Sequence, residues 1–333
     1  MSIGIGVIGA GVMGADHARI IATEIAGAHV AAISDADKAR AAAVAAATSA
    51  GQVFSDGLDL IHDPKVDAVL IASPDATHAP YTLACLAAGK PVLCEKPLAP
   101  ATADCLKVLD AEVKLGRRLI QVGYMRRFDP AYVDMKNQLL SGRLGEALML
   151  HCAHRNVGSP SFWTSGMSVT NSAVHEFDIC RWLLDTELKT IQVMRGKQSR
   201  NSKFQEPLLI VIETAEGHLI DIEIFINAVY GYDVRTEMVC ENGTIDMLPP
   251  AHSLTRATAA ASHGFPADWR PRFADAYRIQ MQDWVRNIPT GRFSGASAWD
   301  GYVSTAVAEA GLASLASGTA AEITLQAKPG LYA

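Results

Sequence analysis

Gly9-Ala10-Gly11-Val12-Met13-Gly14 is a GxGxxG, the first stretch of the chain whose residue types and spacing could do chemistry. With 26 glycines in 333 residues that spacing arises readily by chance, so its context has to carry the weight. It directly follows the apolar run Ile3 to Ile8 and opens an amphipathic stretch, and so reads as the turn from a strand into a helix. Backbone N–H groups and the positive end of a helix dipole at such a turn suit a pyrophosphate. Gly9, Gly11, Val12 and Met13 are the contacts expected there. Asp35 ends the next β-branched run, at the spacing where a carboxylate meets the adenosine ribose hydroxyls and repels a 2′-phosphate. No arginine follows it immediately and Lys38 is the nearest cation, so NAD is expected rather than NADP. Asp35 could also cap the Ala-rich helix behind it.

Three further places draw attention. Ser73-Pro74, with Thr77 and His78, lies just past a third apolar run, at the strand edge where doubly wound sheets bind ligands. Ser73 and Pro74 are expected to touch the dinucleotide, whereas His78 could touch it or simply belong to a helix start. Glu95-Lys96-Pro97 ends the next run on the same edge. A lysine there could donate to a substrate hydroxyl and stabilise the alkoxide that develops as hydride leaves, although a surface lysine is the plainer alternative. His175 falls within Asn171-Ser172-Ala173-Val174-His175-Glu176-Phe177-Asp178, on an expected helix. The zinc-protease pattern HExxH fails because Ile179 stands where the second histidine would be. A lone helical histidine is often structural, yet imidazole suits a general base near neutrality.

The elements that must position these groups change character along the chain. Up to Gly123, short continuous apolar runs alternate with Ala-rich amphipathic stretches, the pattern of a doubly wound parallel sheet covered on both faces. Beyond it, a helix opens at Asp129-Pro130, Ala147 to His151 reads as a strand, and Ser172 to Leu184 as a helix. Strands follow over Leu208 to Thr214, Leu219 to Asn227 and Asp233 to Cys240, then helices over Arg270 to Asn287 and Ala298 to Ser317. The expectation is an α/β chain: an N-terminal Rossmann domain over 1–123 and an α+β domain over 124–333 with a largely antiparallel open sheet. A net charge of -6 argues against nucleic-acid and anionic-membrane partners. The six cysteines form no CxxC pair or Cys/His cluster, so no metal is expected and they read as reduced core residues. With no basic leader region before Ile3 and no long apolar run, a cytoplasmic address is expected.

Taken together, GAGVMGADH, EKP, GYMRRFDPAY, HCAHRN, VHEFD, YGYD, DWRPRF and SAWDGY span the chain nearly end to end. They resemble the glucose-fructose oxidoreductase/inositol dehydrogenase/MocA family, and within it the inositol 2-dehydrogenases most. The resemblance implies that Lys96 polarises an alcohol while His175 removes its proton, with hydride passing to the nicotinamide of NAD. It also implies substrate contacts from Arg126, His154, Asn156 and Tyr232, a set suited to a ring bearing many hydroxyls. Myo-inositol dehydrogenases of this family usually carry an aspartate four residues before the histidine, where this chain has Asn171. An amide supplies no negative charge to the imidazole but can still hold a hydroxyl, so Asn171 joins the expected catalytic and substrate set. That departure leaves myo-inositol, scyllo-inositol and a pyranose oxidised at C1 to a lactone all open. A non-catalytic NAD(P)-binding scaffold or sensor is the third reading, opposed by retention of Lys96 and His175. Homo-oligomers, tetramers or dimers, are common in the family.

Overall fold

The computed structural model describes residues 2–248 and 253–333. The chain forms two compact units, one from Met1–Phe128, Asp275–Thr305 and Gln326–Ala333, the other from Asp129–Ala274 and Ala306–Leu325. A linear division near residue 123 thus does not express the return of two later segments to the first unit.

The first unit opens with β1 (Ile3–Ile8), α1 (Val12–Glu24), β2 (Ala28–Ser34), α2 (Lys38–Thr48), β3 (Gln52–Phe54) and α3 (Gly57–His62). It continues with β4 (Ala68–Ile71), α4 (His78–Ala87), β5 (Val92–Cys94), α5 (Thr102–Leu115) and β6 (Ile120–Val122). All six strands are parallel, in the order β3-β2-β1-β4-β5-β6. This is the doubly wound Rossmann order, which reverses between β1 and β4. Ile5, Val7, Leu70, Ile71, Leu93 and Ile120 are wholly buried, because helices cover both faces and a strand so placed has no polar side to alternate with. Ile8 pairs with Ile71, Ile71 with Cys94 and Cys94 with Val122. The next residues, Gly9, Ala72, Glu95 and Gly123, therefore stand level along one edge.

In the second unit, α6 (Pro130–Leu140) starts at Asp129, whose side chain caps it, with Pro130 in the first turn. There follow β7 (Ala147–Arg155), α7 (Ser165–Met167), α8 (Val174–Leu184), β8 (Leu188–Arg195), β9 (Leu208–Thr214), β10 (Leu219–Phe225), β11 (Asp233–Cys240) and β12 (Gly243–Asp246). A small hairpin, β13 (Thr255–Ala257) with β14 (Ala260–Ser262), and α9 (Trp269–Arg272) come next. The last regular elements are α10 (Ala274–Asn287), α11 (Ala298–Ser317) and β15 (Ala321–Glu322). The large sheet runs β12-β11-β7-β10-β9-β8-β15. Every neighbouring pair is antiparallel except β7 with β10. That parallel pair follows from connectivity: α8 returns the chain so that β8 runs along β7, and the meander through β9 then lays β10 alongside β7. One face is apolar and buried, with Leu150, Cys152, Ile220, Ile222, Ile210, Ile212 and Met238 upon it. The other alternates with it and stays partly open.

One buried carboxylate closes the first unit. Glu112 of α5 accepts from the N–H groups of Leu119 (2.6 Å) and Ile120 (2.7 Å), and from the Tyr332 hydroxyl at 2.6 Å. Burial pushes the Glu112 carboxyl up, against these bonds. Tyr332→Phe removes one donor to a buried group and should cost about 1–3 kcal/mol, read as a lower urea midpoint. A midpoint equal to that of the unsubstituted protein would show that Tyr332 does not anchor this segment.

Candidate functional site

The glycine turn is built as a cradle. Gly9 has φ +98, and a Cβ there would lie 2.4 Å from the Ala72 carbonyl oxygen. At Gly14 a Cβ would lie 1.8 Å from the Gly9 oxygen, so α1 can pack against the turn only through glycine. Gly11 is different: a Cβ would meet nothing within 4 Å, and as N-cap of α1 it offers no side-chain cap. The helix start thus faces open space, with Val12 60% exposed and Met13 half-buried beside it. These features fit a dinucleotide pyrophosphate, whose close approach needs a bare backbone at Gly11.

Asp35, at the end of β2, accepts from Ala10 N (2.7 Å) and Asp37 N (2.8 Å), which ties it to the glycine turn. It does not cap α2; Asp37 does, accepting from Arg40 N at 3.1 Å. Arg40 also reaches back to Asp35 through Nη2 (2.7 Å) and Nε (3.2 Å). Burial pushes the Asp35 carboxyl up, but the bonds from Arg40, Ala10 and Asp37 outweigh it and hold it below the ordinary value. Sequence reasoning passed over Arg40 because it lies five residues on; the first turn of α2 folds it back.

Ser73 donates to the Thr77 hydroxyl at 2.6 Å, and Thr77 donates to the Pro74 carbonyl at 2.7 Å, leaving Ser73 and Pro74 on the ligand edge beyond β4. His78 is buried as the first residue of α4, with Nδ1 2.7 Å from the Pro97 carbonyl and Nε2 2.9 Å from the Ser73 carbonyl. Two carbonyl acceptors are both satisfied only by the imidazolium. Burial alone would lower its pKa, and Cys94, the Pro97 carbonyl and Asp75 carry it up to about 10. With both ring nitrogens engaged, His78 binds the ends of β4 and β5 together and has neither left for a cofactor.

Glu95, Lys96 and Pro97 leave β5 through a cis peptide at Lys96-Pro97. Glu95 is buried and bonded to His17 Nε2 of α1 at 2.7 Å, while its other oxygen accepts from Lys96 N at 3.2 Å. Burial raises the Glu95 carboxyl, but His17 and Lys96 beside it outweigh burial and hold it below the ordinary range. Tyr277 of α10 packs edge-on against His17, ring centroids 5.5 Å apart. Gly123 faces Glu95 so closely that a Cβ would lie 3.1 Å from it. Sequence reasoning missed His17, since nothing in spacing pairs a histidine on α1 with a carboxylate on β5. Arg126, buried in the short turn Met125–Phe128, belongs to the same unit, and Arg127 of that turn pairs with Asp300 at 3.0 Å.

The second unit gathers the remaining expected residues. A single π turn over Ser168–Ser172 leads into α8, a widening often found at functional sites. Asn171 lies in that turn, accepting from the Thr170 hydroxyl at 2.8 Å, and His175 is the second residue of α8. His154 of β7 sits on the buried sheet face, its Nδ1 3.0 Å from Glu176 Oε2. The carboxylate accepts from Nδ1 and so holds the ring in place. Tyr232 stands edge-on to His154 at 5.8 Å, and Phe273 in turn supports Tyr232 at 6.2 Å. Asn156, just past β7, has a buried side-chain oxygen with no hydrogen-bond partner among the described residues. Arg272 and Asp129 form a buried ion pair at 2.7 Å, so the DWRPRF stretch serves as scaffolding for Tyr232. Glu176 was the residue to add here, and VHEFD already contained it.

Among the described residues there is no group of three or more His, Cys, Asp or Glu able to hold a metal, and no helix is long and apolar enough to cross a membrane. A family model described as an oxidoreductase family with an NAD-binding Rossmann fold matches residues 3–124, and the model of that family's C-terminal alpha/beta domain matches 136–325. The chain belongs to the Gfo/Idh/MocA oxidoreductase family. It is an NAD-dependent oxidoreductase. It is 51% identical over 335 residues to a protein of Saccharopolyspora erythraea named inositol 2-dehydrogenase 1, covering 100% of this chain and 99% of that one. It is 44% identical to an inositol 2-dehydrogenase of Acidothermus cellulolyticus, covering 99% of this chain and 98% of that one. The crystal structure of a myo-inositol dehydrogenase from Lactobacillus casei, in complex with NAD(H) and myo-inositol, superimposes with a TM-score of 0.96 at 30% identity, covering all of both chains.

Because the Glu95 carboxyl is depressed, its contribution to stability is present above the ordinary carboxylate range and is lost as pH falls through the lowered value. Glu95→Gln should lower the urea midpoint at neutral pH and flatten its decline between about pH 5 and about pH 3. An unchanged acid slope would remove Glu95 from the acid sensitivity of the fold.

Proposed function

We propose that this protein oxidises a ring secondary alcohol of a cyclitol, scyllo- or myo-inositol, to the corresponding ketone. The observation that carries this reading is the full-length 51% identity to a protein named inositol 2-dehydrogenase, in a chain that keeps both Lys96 and His175. NAD, when bound, supplies the hydride acceptor at its nicotinamide C4. His175 takes the hydroxyl proton as general base, and the Lys96 ammonium donates to the same oxygen as negative charge builds on it. The buried Glu95 carboxylate, bonded to the Lys96 backbone N–H, steadies the start of the lysine's segment. Arg126, His154, Asn156, Asn171 and Tyr232 hold the remaining ring hydroxyls. His154 is suited to this because its contact with Glu176 holds the ring in place. A site that pairs several hydroxyls in this way rejects rings that lack one.

Asn171 favours a second reading. Its amide brings no negative charge near His175, and an all-equatorial cyclitol and a glucose-like pyranose present similar hydroxyl arrays. A sugar 1-dehydrogenase yielding a lactone therefore stands as the alternative substrate class.

We also propose a homo-oligomer assembled through the open face of the second sheet. Leu148 (47% exposed), Leu209 (38%) and Leu219 (41%) lie on it, beside the Arg155–Glu223 pair at 2.6 Å. Six buried thiols suit a reducing, cytoplasmic setting.

Initial rates of NADH formation on a panel of inositol isomers and aldoses should be highest on a cyclitol; turnover of aldoses alone would replace this reading by the lactone-forming one. Lys96→Ala should lower kcat/KM by about a thousandfold while the Kd for NAD stays within about threefold. An undiminished rate would take Lys96 out of the reaction. Asn171→Asp should shift the acid limb of the kcat/KM profile to higher pH, because a carboxylate near His175 favours the imidazolium. Leu209→Arg should reduce the mass measured by light scattering, and an unaltered mass would exclude that face as the interface.

A further inference from the structure

Glu206, in the connection between β8 and β9, is buried in the second unit, and its side chain is spent on one short segment. Oε2 accepts from Ile226 N at 2.9 Å, while Oε1 accepts from Asn227 N at 3.2 Å and from Asn227 Nδ2 at 2.7 Å. A carboxylate carries acceptors only, so it suits a place where N–H groups converge. The same segment is bonded on its other side to Asn156. Asn156 N donates to the Phe225 carbonyl at 3.0 Å, and Ala228 N donates to the Asn156 carbonyl at 3.0 Å. Residues 225–228 thus form a strap between a buried carboxylate and the backbone of Asn156. Asn227 extends the strap, its Oδ1 accepting from Ser159 N at 3.1 Å and Ser159 Oγ at 3.3 Å. Since β7 ends at Arg155, these bonds are what fix the chain just beyond the strand. The Asn156 side chain takes no part in them: its buried Oδ1 has no hydrogen-bond partner among the described residues, which leaves it an acceptor to be met.

We propose that Glu206 is a positioning residue for the polyol site, acting through residues 225–228 to hold Asn156 where its amide meets a ring hydroxyl. This rests on the reading above that Asn156 contacts the substrate. Glu206 has its oxygens taken by the strap and does not bond the ring. Its influence falls on how tightly the polyol is held, and not on the proton and hydride steps, whose groups Lys96 and His175 lie on other segments. Loosening the strap misplaces one amide by a fraction of an ångström to an ångström or so, and a hydrogen-bonding site of this kind is sensitive to such a shift.

Initial rates at saturating NAD, with myo-inositol and scyllo-inositol as probes, read this alongside thermal unfolding. Glu206→Ala should raise KM for the better of the two by at least about tenfold, with kcat within about threefold and the Kd for NAD within about twofold. Glu206→Gln keeps one acceptor oxygen and should raise KM less. Should Glu206→Ala fail to fold, Asn227→Ala leaves both backbone bonds to Glu206 in place and severs only the bridge to Ser159; it should raise KM by about fivefold. Asn156→Ala should raise KM as well, and adding Asn227→Ala to it should change KM by less than about twofold, because an amide that is gone can no longer be misplaced. A merely structural role would lower the unfolding temperature and leave the two effects on KM to multiply. The inference is overturned if they multiply, if Glu206→Ala lowers kcat with KM unchanged, or if Asn156→Ala raises KM while neither strap variant does. An Asn156→Ala enzyme with unaltered KM would instead take Asn156 out of the substrate contacts, and this inference with it.

Discussion

Four strand ends held level by hydrogen bonds are the constraint on which the rest depends. Ala72 N donates to the Ile8 carbonyl, Glu95 N to that of Ile71, and Gly123 N to that of Cys94, so the parallel ladder runs one residue beyond each strand. Everything chemical in the first unit is hung from that edge. The glycine turn leaves it at Gly9, the Ser73-Pro74 segment at Ala72, and the lysine segment at Glu95. Two polar groups in so dry a place brace it from within: His78 spans two strand ends, and His17 meets Glu95 through Nε2. These bonds tie the strand ends to one another, and hydride transfer needs the groups that aim it held in place.

The second unit solves a different problem. Its sheet is covered on one face, so side chains alternate, and a residue of β7 can be buried while its neighbours are not. His154 uses that alternation to reach Glu176 on α8, next to His175. Because α8 is itself the crossover between β7 and β8, the strand bearing His154 and the helix bearing His175 are one continuous supersecondary unit. The π turn before α8 rotates Asn171 relative to a regular helix, so spacing in the sequence understates how the two residues are presented.

Much of this was legible in the sequence. Parallel strands with both faces covered must be apolar throughout, and the runs Ile3 to Ile8 and Val66 to Ser73 announced them, the second strand proving shorter, Ala68–Ile71. The glycine turn was legible because backbone clashes at Gly9 and Gly14 leave no other residue possible. The short strands β3, β12 and β15 were not, since two to four residues carry no period to read. Nor were the partners of the site residues. His17 with Glu95, Glu176 with His154 and Arg40 with Asp35 are contacts across elements or around a helical turn, and residue type alone does not announce a partner. Asp35 as a possible helix cap illustrates the point: two aspartates two residues apart are equivalent by type, and only backbone geometry assigns the cap to Asp37. The parallel pairing of β7 with β10 was likewise hidden, because strand direction depends on a crossover and not on composition.

The interleaving of the two units has a consequence for biosynthesis. The second unit draws most of its residues from one uninterrupted stretch, Asp129–Ala274, whereas the first waits for Asp275–Thr305 and Gln326–Ala333. As the polypeptide emerges from the ribosome, the part that is translated first is thus the last to be completed. Until Tyr332 arrives, Glu112 lacks one of its donors. The nascent nucleotide-binding half therefore stays incomplete through the synthesis of nearly the whole remaining chain.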